Sequence, residues 1–214
     1  AKRPGDYDIA GKVLAQATDI MTRKLITFYQ QQHGSAPMPY TWIVYGSQAR
    51  EDQTMGSDQD NGLLLARTPN EQEAEYFAGM ADYVCNGLGK CGIKLCPGNI
   101  MASNPELRLS LDDAIHEAQQ WVKQPTSKAI MYFNIFLDAR AAAGDVELFR
   151  KMQLARAPLL KQKMFLAALA RQANSDSVPL SMFQKFVFEK GHSVKDAIDL
   201  KVKAIAIINN LVRL

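Results

Sequence analysis

The sequence predicts an α/β chain of the α+β kind, with a small sheet-and-helix unit over residues 1–109 and a helical part over residues 110–214. Two short runs, Thr41 to Tyr45 and Gly62 to Ala66, fit buried strands. The segments around them repeat apolar residues at helical spacing. Beyond residue 110 the helical pattern dominates, and a chain divided in this way leaves a cleft between its parts, the usual position for a ligand.

In order, Asp8 to Gln32 reads as an amphipathic helix with Ile9, Val13, Ala17, Met21, Leu25 and Phe28 along one face. It stops at His33-Gly34, where glycine supplies the C-terminal cap. Pro37 and Pro39 then keep an extended connector into the first strand. After the second strand, Asn70 caps a helix to about Leu88, with Tyr76, Phe77, Met80, Tyr83, Val84 and Leu88 as its buried stripe. Gly87, Gly89 and Gly92 break it. Ile93 to Leu95 fits a third short strand, and Cys96 to Pro105 an irregular loop. Ser110 caps the next helix, with Asp112 and Asp113 in the first turn, and Pro125 ends it. Ala129 to Leu137 is compatible with a buried strand or with the start of a helix. From Asp145 the pattern is helical, through Val146, Leu148, Phe149 and Met152 and then Leu159 to Arg171. A loop over Ser175 to Pro179, an apolar stretch from Leu180 to Phe188 and a last helix from Val194 to Val212 complete the chain.

At 214 residues and 47% apolar, the chain can bury a sizeable core. Its net charge of +3 and pI near 8.7 are mildly basic without a basic stripe, which argues against a nucleic-acid binder. No run of 18 apolar residues exists, so no membrane span is expected. The opening Ala1 to Gly5 lacks the apolar stretch of a secretory signal. Cys85, Cys91 and Cys96 are odd in number and form no Cys-x-x-Cys pair, as expected of reduced thiols in a cytoplasmic protein rather than of a disulfide framework or zinc site. His33, His116 and His192 are scattered and suggest no catalytic pairing.

The chemistry concentrates between the two strands. Asp58-Gln59-Asp60 at the mouth of a strand puts both carboxylates on one face, because side chains alternate with a period of two. Two such carboxylates repel each other, and a divalent cation gives them a reason to converge. Mg²⁺ prefers oxygen ligands, commonly one or two carboxylates plus substrate phosphates. Gly46 lets backbone approach a phosphate, Ser47 offers a hydroxyl and an N–H, and Arg50 meets negative charge with its fork. An isolated Asp-x-Asp is more often a solvated turn. Gly46-Ser47 ahead of it and a strand on each side favour the metal.

This Gly-Ser, spacer, Asp-x-Asp arrangement resembles the DNA polymerase β nucleotidyltransferase superfamily. The longer stretches from Gly34 to Thr54 and Ser57 to Asn61 are similar to nucleotidyltransferase domains of bacterial signalling proteins, where the domain follows cyclic-nucleotide-binding and CBS modules. Cys96 to Pro105, Asn134 to Arg140 and Asp199 to Lys201 resemble later motifs of the same family. Leu111 to Ile115 and Ala139 to Asp145 resemble, more weakly, the uridylyltransferase of the nitrogen-regulatory protein PII.

The resemblance implies a polymerase β-like nucleotidyltransferase fold with a helical C-terminal domain, using Mg²⁺ (or Mn²⁺) and a nucleoside triphosphate as substrate. Gly46 and Ser47 would hold the triphosphate, and Asp58 and Asp60 the metal. The superfamily adds a third carboxylate from a later strand, as base and ligand. Ile93 to Leu95 carries no acid, so Asp138 is the substitute, against the alternatives of an ion pair with Arg140 or a helix-start carboxylate. Asn104 and Lys201 are further candidates for nucleotide contact, weighed against structural roles. The implied partners are the triphosphate, an acceptor protein or small molecule, and regulatory modules upstream. The competing function is a catalytically idle nucleotide-binding module that relays signals within a larger protein.

Overall fold

A computed structural model describes residues 6–175 and positions 208, 209 and 212. Four strands, β1 (Tyr40–Tyr45), β2 (Asn61–Leu65), β3 (Arg108–Ser110) and β4 (Ala139–Gly144), form one mixed sheet in the order β3-β2-β1-β4. β1 runs antiparallel to both neighbours, with Ile43 opposite Gly62 and opposite Ala141, while β3 lies parallel to β2. Every residue of β1 and β2 is buried, because the sheet is covered on both faces. The period of two divides the side chains between two cores. Tyr40, Trp42, Val44, Leu63 and Leu65 face one core, and Ile43, Tyr45 and Leu64 the other.

The first core lies under α1 (Asp6–His33) and α3 (Glu71–Lys90). Asn70 caps α3 as the sequence predicts, accepting from Glu73 N–H while the Glu73 carboxylate accepts from Asn70 N–H. α1 corrects the expected stripe. Ile9, Val13 and Phe28 are exposed, and the buried face runs through Gly11, Ala15, Thr18, Asp19, Thr22, Ile26 and Tyr29. The reason is local. The first half of α1 packs on a polar loop, where a Cβ on Gly11 would stand 2.8 Å from the Glu51 carbonyl oxygen. Burial there selects small and polar residues, so hydrophobic periodicity marks the wrong face in that half, while Met21 and Leu25 of the expected stripe pack against the first core.

The second core is closed by α4 (Leu111–Lys123), capped by Ser110 as expected, with α5 (Ser127–Leu137) and α6 (Val146–Arg156). The ambiguous segment is thus a helix, capped by Thr126, whose hydroxyl accepts from Ala129 N–H. A 3₁₀ turn at Ala157–Lys161 and α7 (Lys163–Ser175) follow. The expected third strand at Ile93 to Leu95 is a correction: Lys94 makes only an isolated parallel bridge to Asp58, and the strand beside β2 is β3. β4 had no counterpart in the sequence reading. The expectations for Leu180 to Phe188 and for Lys201 lie outside the described residues, as does the expected loop beyond Ser175, which itself ends α7. Of the expected last helix only Ile208, Asn209 and Val212 are described; they are helical, and Ile208 and Val212 are exposed. Among the described residues no helix is long and apolar enough to cross a membrane.

Candidate functional site

The site grows from the end of β1. The chain leaves Tyr45 through Gly46, whose φ of +56° lies in the left-handed region that glycine adopts without strain. A Cβ on Gly46 would stand 3.4 Å from Asp60 Oδ2, so the corner lies directly against that carboxylate. Gly46–Ala49 makes a single helical turn, α2, which leaves Ser47 half-buried beside the corner.

Asp58, Gln59 and Asp60 follow the expected alternation. Gln59 is 1% exposed and points inward, where its amide donates to the Cys85 and Ile93 carbonyls, each at 3.0 Å. Asp58 and Asp60 are half-buried on the opposite face. The segment is held by backbone on both sides: Tyr45 N–H donates to Asp60 O at 2.9 Å, and Gln59 N–H to Lys94 O at 2.8 Å. The parallel bridge between Asp58 and Lys94 brings Cys96, two residues on, beside Asp60. One ligand atom from each of Asp58, Asp60 and Cys96 lies within 4.8 Å of the others. Burial, together with the charge and hydrogen bond of Asp60, pushes the Cys96 thiol up to about 11.

The loop carrying Cys96 is fastened to the first residue of β2. Asn61 N–H donates to Ile100 O at 3.0 Å, and Asn61 Oδ1 accepts from Ala102 N–H at 2.8 Å. The donor set suits a divalent cation. Two carboxylate oxygens serve hard ions such as Mg²⁺, and a sulfur adds affinity for softer ones.

Arg50 and Asp138 stand on the other side of β1. Asp138 ends α5, and its carbonyl accepts from Gly46 N–H at 3.0 Å. Its carboxylate receives Arg50 Nη1 at 2.5 Å, while Arg50 Nε and Nη2 reach Asp52 at 3.0 and 3.3 Å. Burial works against the Arg50 charge, yet the bonds to Asp52 and Asp138 outweigh it and raise its pKa. Of the alternatives weighed for Asp138, an ion pair with an arginine is formed, but with Arg50; Arg140 binds Asp19, at 2.7 and 3.2 Å. The strand that Asp138 opens lies beside β1, not beside β2. Asp138 therefore leads into the strand on one side of β1, and Asp60 into the strand on the other. The ligand-atom group that unites Asp58 and Asp60 includes Cys96 and not Asp138.

Asn104 accepts from Glu106 N–H at 3.1 Å and donates to Asn99 O at 3.1 Å, which caps the 3₁₀ turn Pro105–Leu107. Sequence reasoning missed Cys96 as a donor. The available signal was its place one residue past the candidate strand from which a third ligand was sought.

A family model described as "Putative nucleotidyltransferase DUF294" matches residues 3–128. The chain belongs to this nucleotidyltransferase family. Asp58, Asp60, Cys96, Gly46 and Arg50 all fall inside the matched stretch, and Asp138 falls outside it. A second model, described as "Putative nucleotidyltransferase substrate binding domain", matches residues 163–214 of the nucleotidyltransferase. No curated protein matches the chain.

Proposed function

We propose that this nucleotidyltransferase moves a nucleotidyl group from a nucleoside triphosphate to a hydroxyl of a protein or small molecule, with a divalent cation held by Asp58 and Asp60. The observation that carries the reading is the convergence of those two carboxylates against the Gly46 corner, inside the stretch that matches the family. When bound, Mg²⁺ or Mn²⁺ supplies charge neutralisation for the attacking and leaving oxygens. Asp58 and Asp60 hold and orient the ion. Gly46 admits the triphosphate close to the backbone, and Ser47 offers it a hydroxyl and an N–H. Arg50, steadied by Asp52 and Asp138, meets phosphate charge from the β4 side, and Asp138 acts through it as a positioning residue.

Asn104, as the cap of its turn, and Lys201, from sequence alone, are secondary members of the nucleotide site. The same proposal divides the chain into a nucleotidyltransferase part over 1–109 and a helical part over 110–214, with β4 returning to the first part's sheet. It also places the chain in a cytoplasmic bacterial signalling protein whose regulatory modules precede it.

The test is incubation with each labelled nucleoside triphosphate, Mg²⁺ and cell lysate. A labelled acceptor or released pyrophosphate with at least one triphosphate is expected, and no product with any of the four sinks the enzyme reading. One observation favours a second reading, a catalytically idle nucleotide-binding regulatory module: the donor that joins Asp58 and Asp60 is a thiol, while Asp138 is bonded to Arg50. Mg²⁺-dependent triphosphate binding without turnover would decide for it.

A further inference from the structure

The described arginines, with one exception, donate to an acceptor. Arg50, Arg67, Arg140 and Arg150 pair with carboxylates. Arg23, Arg108 and Arg171 donate to backbone carbonyls. Arg156 is 5% exposed, its Nε has no partner, and no carboxylate among the described residues pairs with it. An arginine stays charged inside a protein, and a buried charge without a counter-ion is strongly unfavourable.

The position follows from the sequence. Leu148, Met152 and Arg156 recur every fourth residue on α6, so Arg156 occupies the third place of an apolar stripe. Its guanidinium carbon lies 5.2 Å from the Phe136 ring centre and 5.8 Å from that of Phe133. The cation thus sits over both rings, which leaves its N–H donors unserved by an aromatic face. Beside it is a cavity of about 230 Å³, walled by Phe133, Phe136, Leu137, Leu160 and Gln153. Gln153 stands one helical turn before Arg156 and adds an amide to the same wall.

We propose that this cavity binds a small carboxylate with an apolar body, the Arg156 fork taking the carboxylate oxygens and the phenylalanine and leucine walls taking the body. The fork matches a carboxylate in bidentate geometry. A single cation among apolar walls suits a singly charged, partly apolar anion better than a free phosphate. The site goes beyond the transfer reading, because it shares no residue with the Asp58–Asp60 centre.

The test is calorimetric titration of the 214-residue chain with benzoate, acetate and inorganic phosphate at fixed ionic strength, with unfolding midpoints measured in parallel. Benzoate should bind saturably at one site and raise the midpoint, and phosphate should bind at least about tenfold more weakly, a difference of one decade in Kd. Arg156→Met should lose benzoate binding while unfolding no earlier than the wild type without ligand, since it removes an unpaired buried charge. Gln153→Leu keeps the guanidinium and should weaken benzoate by roughly three- to tenfold, the loss of one hydrogen bond. Equal benzoate binding in wild type and Arg156→Met overturns the proposal, as does phosphate binding as tight as benzoate. A wild type that binds none of the probes also overturns it.

Discussion

The two flanks of β1 treat buried and half-buried carboxylates in different ways. On the β4 side each is answered by an arginine: Asp19 by Arg140 and Asp138 by Arg50. On the β2 side Asp58 and Asp60 are set beside each other and beside the Cys96 thiol. An arginine pair gives a carboxylate a fixed structural partner. Two carboxylates brought together lose stability to their mutual repulsion until a cation joins them. The difference sets arginine-bound carboxylates on one flank against a group that could hold a metal ion on the other.

The largest expected effect comes from changing Asp58 and Asp60 together to Asn. Nucleotidyl transfer should fall by roughly three orders of magnitude or more, because metal stabilisation of the transition state is worth several kcal/mol. Without metal, the unfolding midpoint should stay level or rise, since the repulsion is gone. A fall of many degrees would make the pair structural and erase the contrast with the β4 flank.

The complementary experiment breaks the other flank. Arg140→Met leaves Asp19 buried with only the Gln48 amide, at 2.9 Å. The loss should be about 3 kcal/mol, at the low end for a broken buried pair because the Arg140 side chain is 31% exposed. For a chain of this size that is a midpoint drop of roughly 6–12 °C. Turnover per folded molecule should change by less than about threefold, well inside one decade of rate. A tenfold loss of turnover at an unchanged midpoint would place Arg140 in the chemistry instead.

The β2 flank was legible in the sequence because its information is local. Asp58-Gln59-Asp60 reveals its two faces by alternation alone, and Gln59 is buried opposite the acids as the period requires. The β4 flank was not legible, for three physical reasons. Asp138 reaches Arg50 across 88 residues and Asp19 reaches Arg140 across 121, so no spacing rule connects them. β4 is mostly alanine, which favours helix on its own and becomes strand only because β1 offers it a ladder. The buried face of α1 holds glycine, alanine, threonine and aspartate because its neighbour is a polar loop. Cys96 falls between these cases, since its position after Leu95 was readable and its closeness to Asp60 was not.

A smaller effect is expected at Asp138, where the two flanks meet through Arg50. Asp138→Asn removes one of two carboxylates on Arg50 and leaves the bonds to Asp52. As a positioning residue it should raise the triphosphate KM by roughly tenfold and move kcat by less than about threefold, a loss mainly of uniform binding. Arg50→Lys should shift KM in the same direction, because an ammonium cannot reproduce the fork. A lost general base would look different. There kcat falls by about a hundred- to ten-thousandfold with KM little changed, and that result would move Asp138 to the catalytic side of the comparison.

The smallest expected effect lies at Gly46, the residue shared by both flanks. Its N–H donates to Asp138 O, and its Cα lies against Asp60. Gly46→Ala puts a side chain on a backbone held at φ +56°, which costs about 1–2 kcal/mol. The new Cβ would also stand 3.4 Å from Asp60 Oδ2, a contact that asks the carboxylate to yield a few tenths of an ångström. Stability should therefore drop by about 1–2 kcal/mol, and the contact with Asp60 should separately weaken metal-dependent triphosphate binding by roughly fivefold, about 1 kcal/mol. Gly46→Asn separates the two causes. Asparagine tolerates the left-handed conformation better than alanine, so part of the stability should return. Its Cβ meets Asp60 as closely as alanine's, so the affinity should not. If both variants bind the metal–triphosphate as tightly as the wild type, the corner serves the backbone alone, and the contact with Asp60 has no part in holding the ligand.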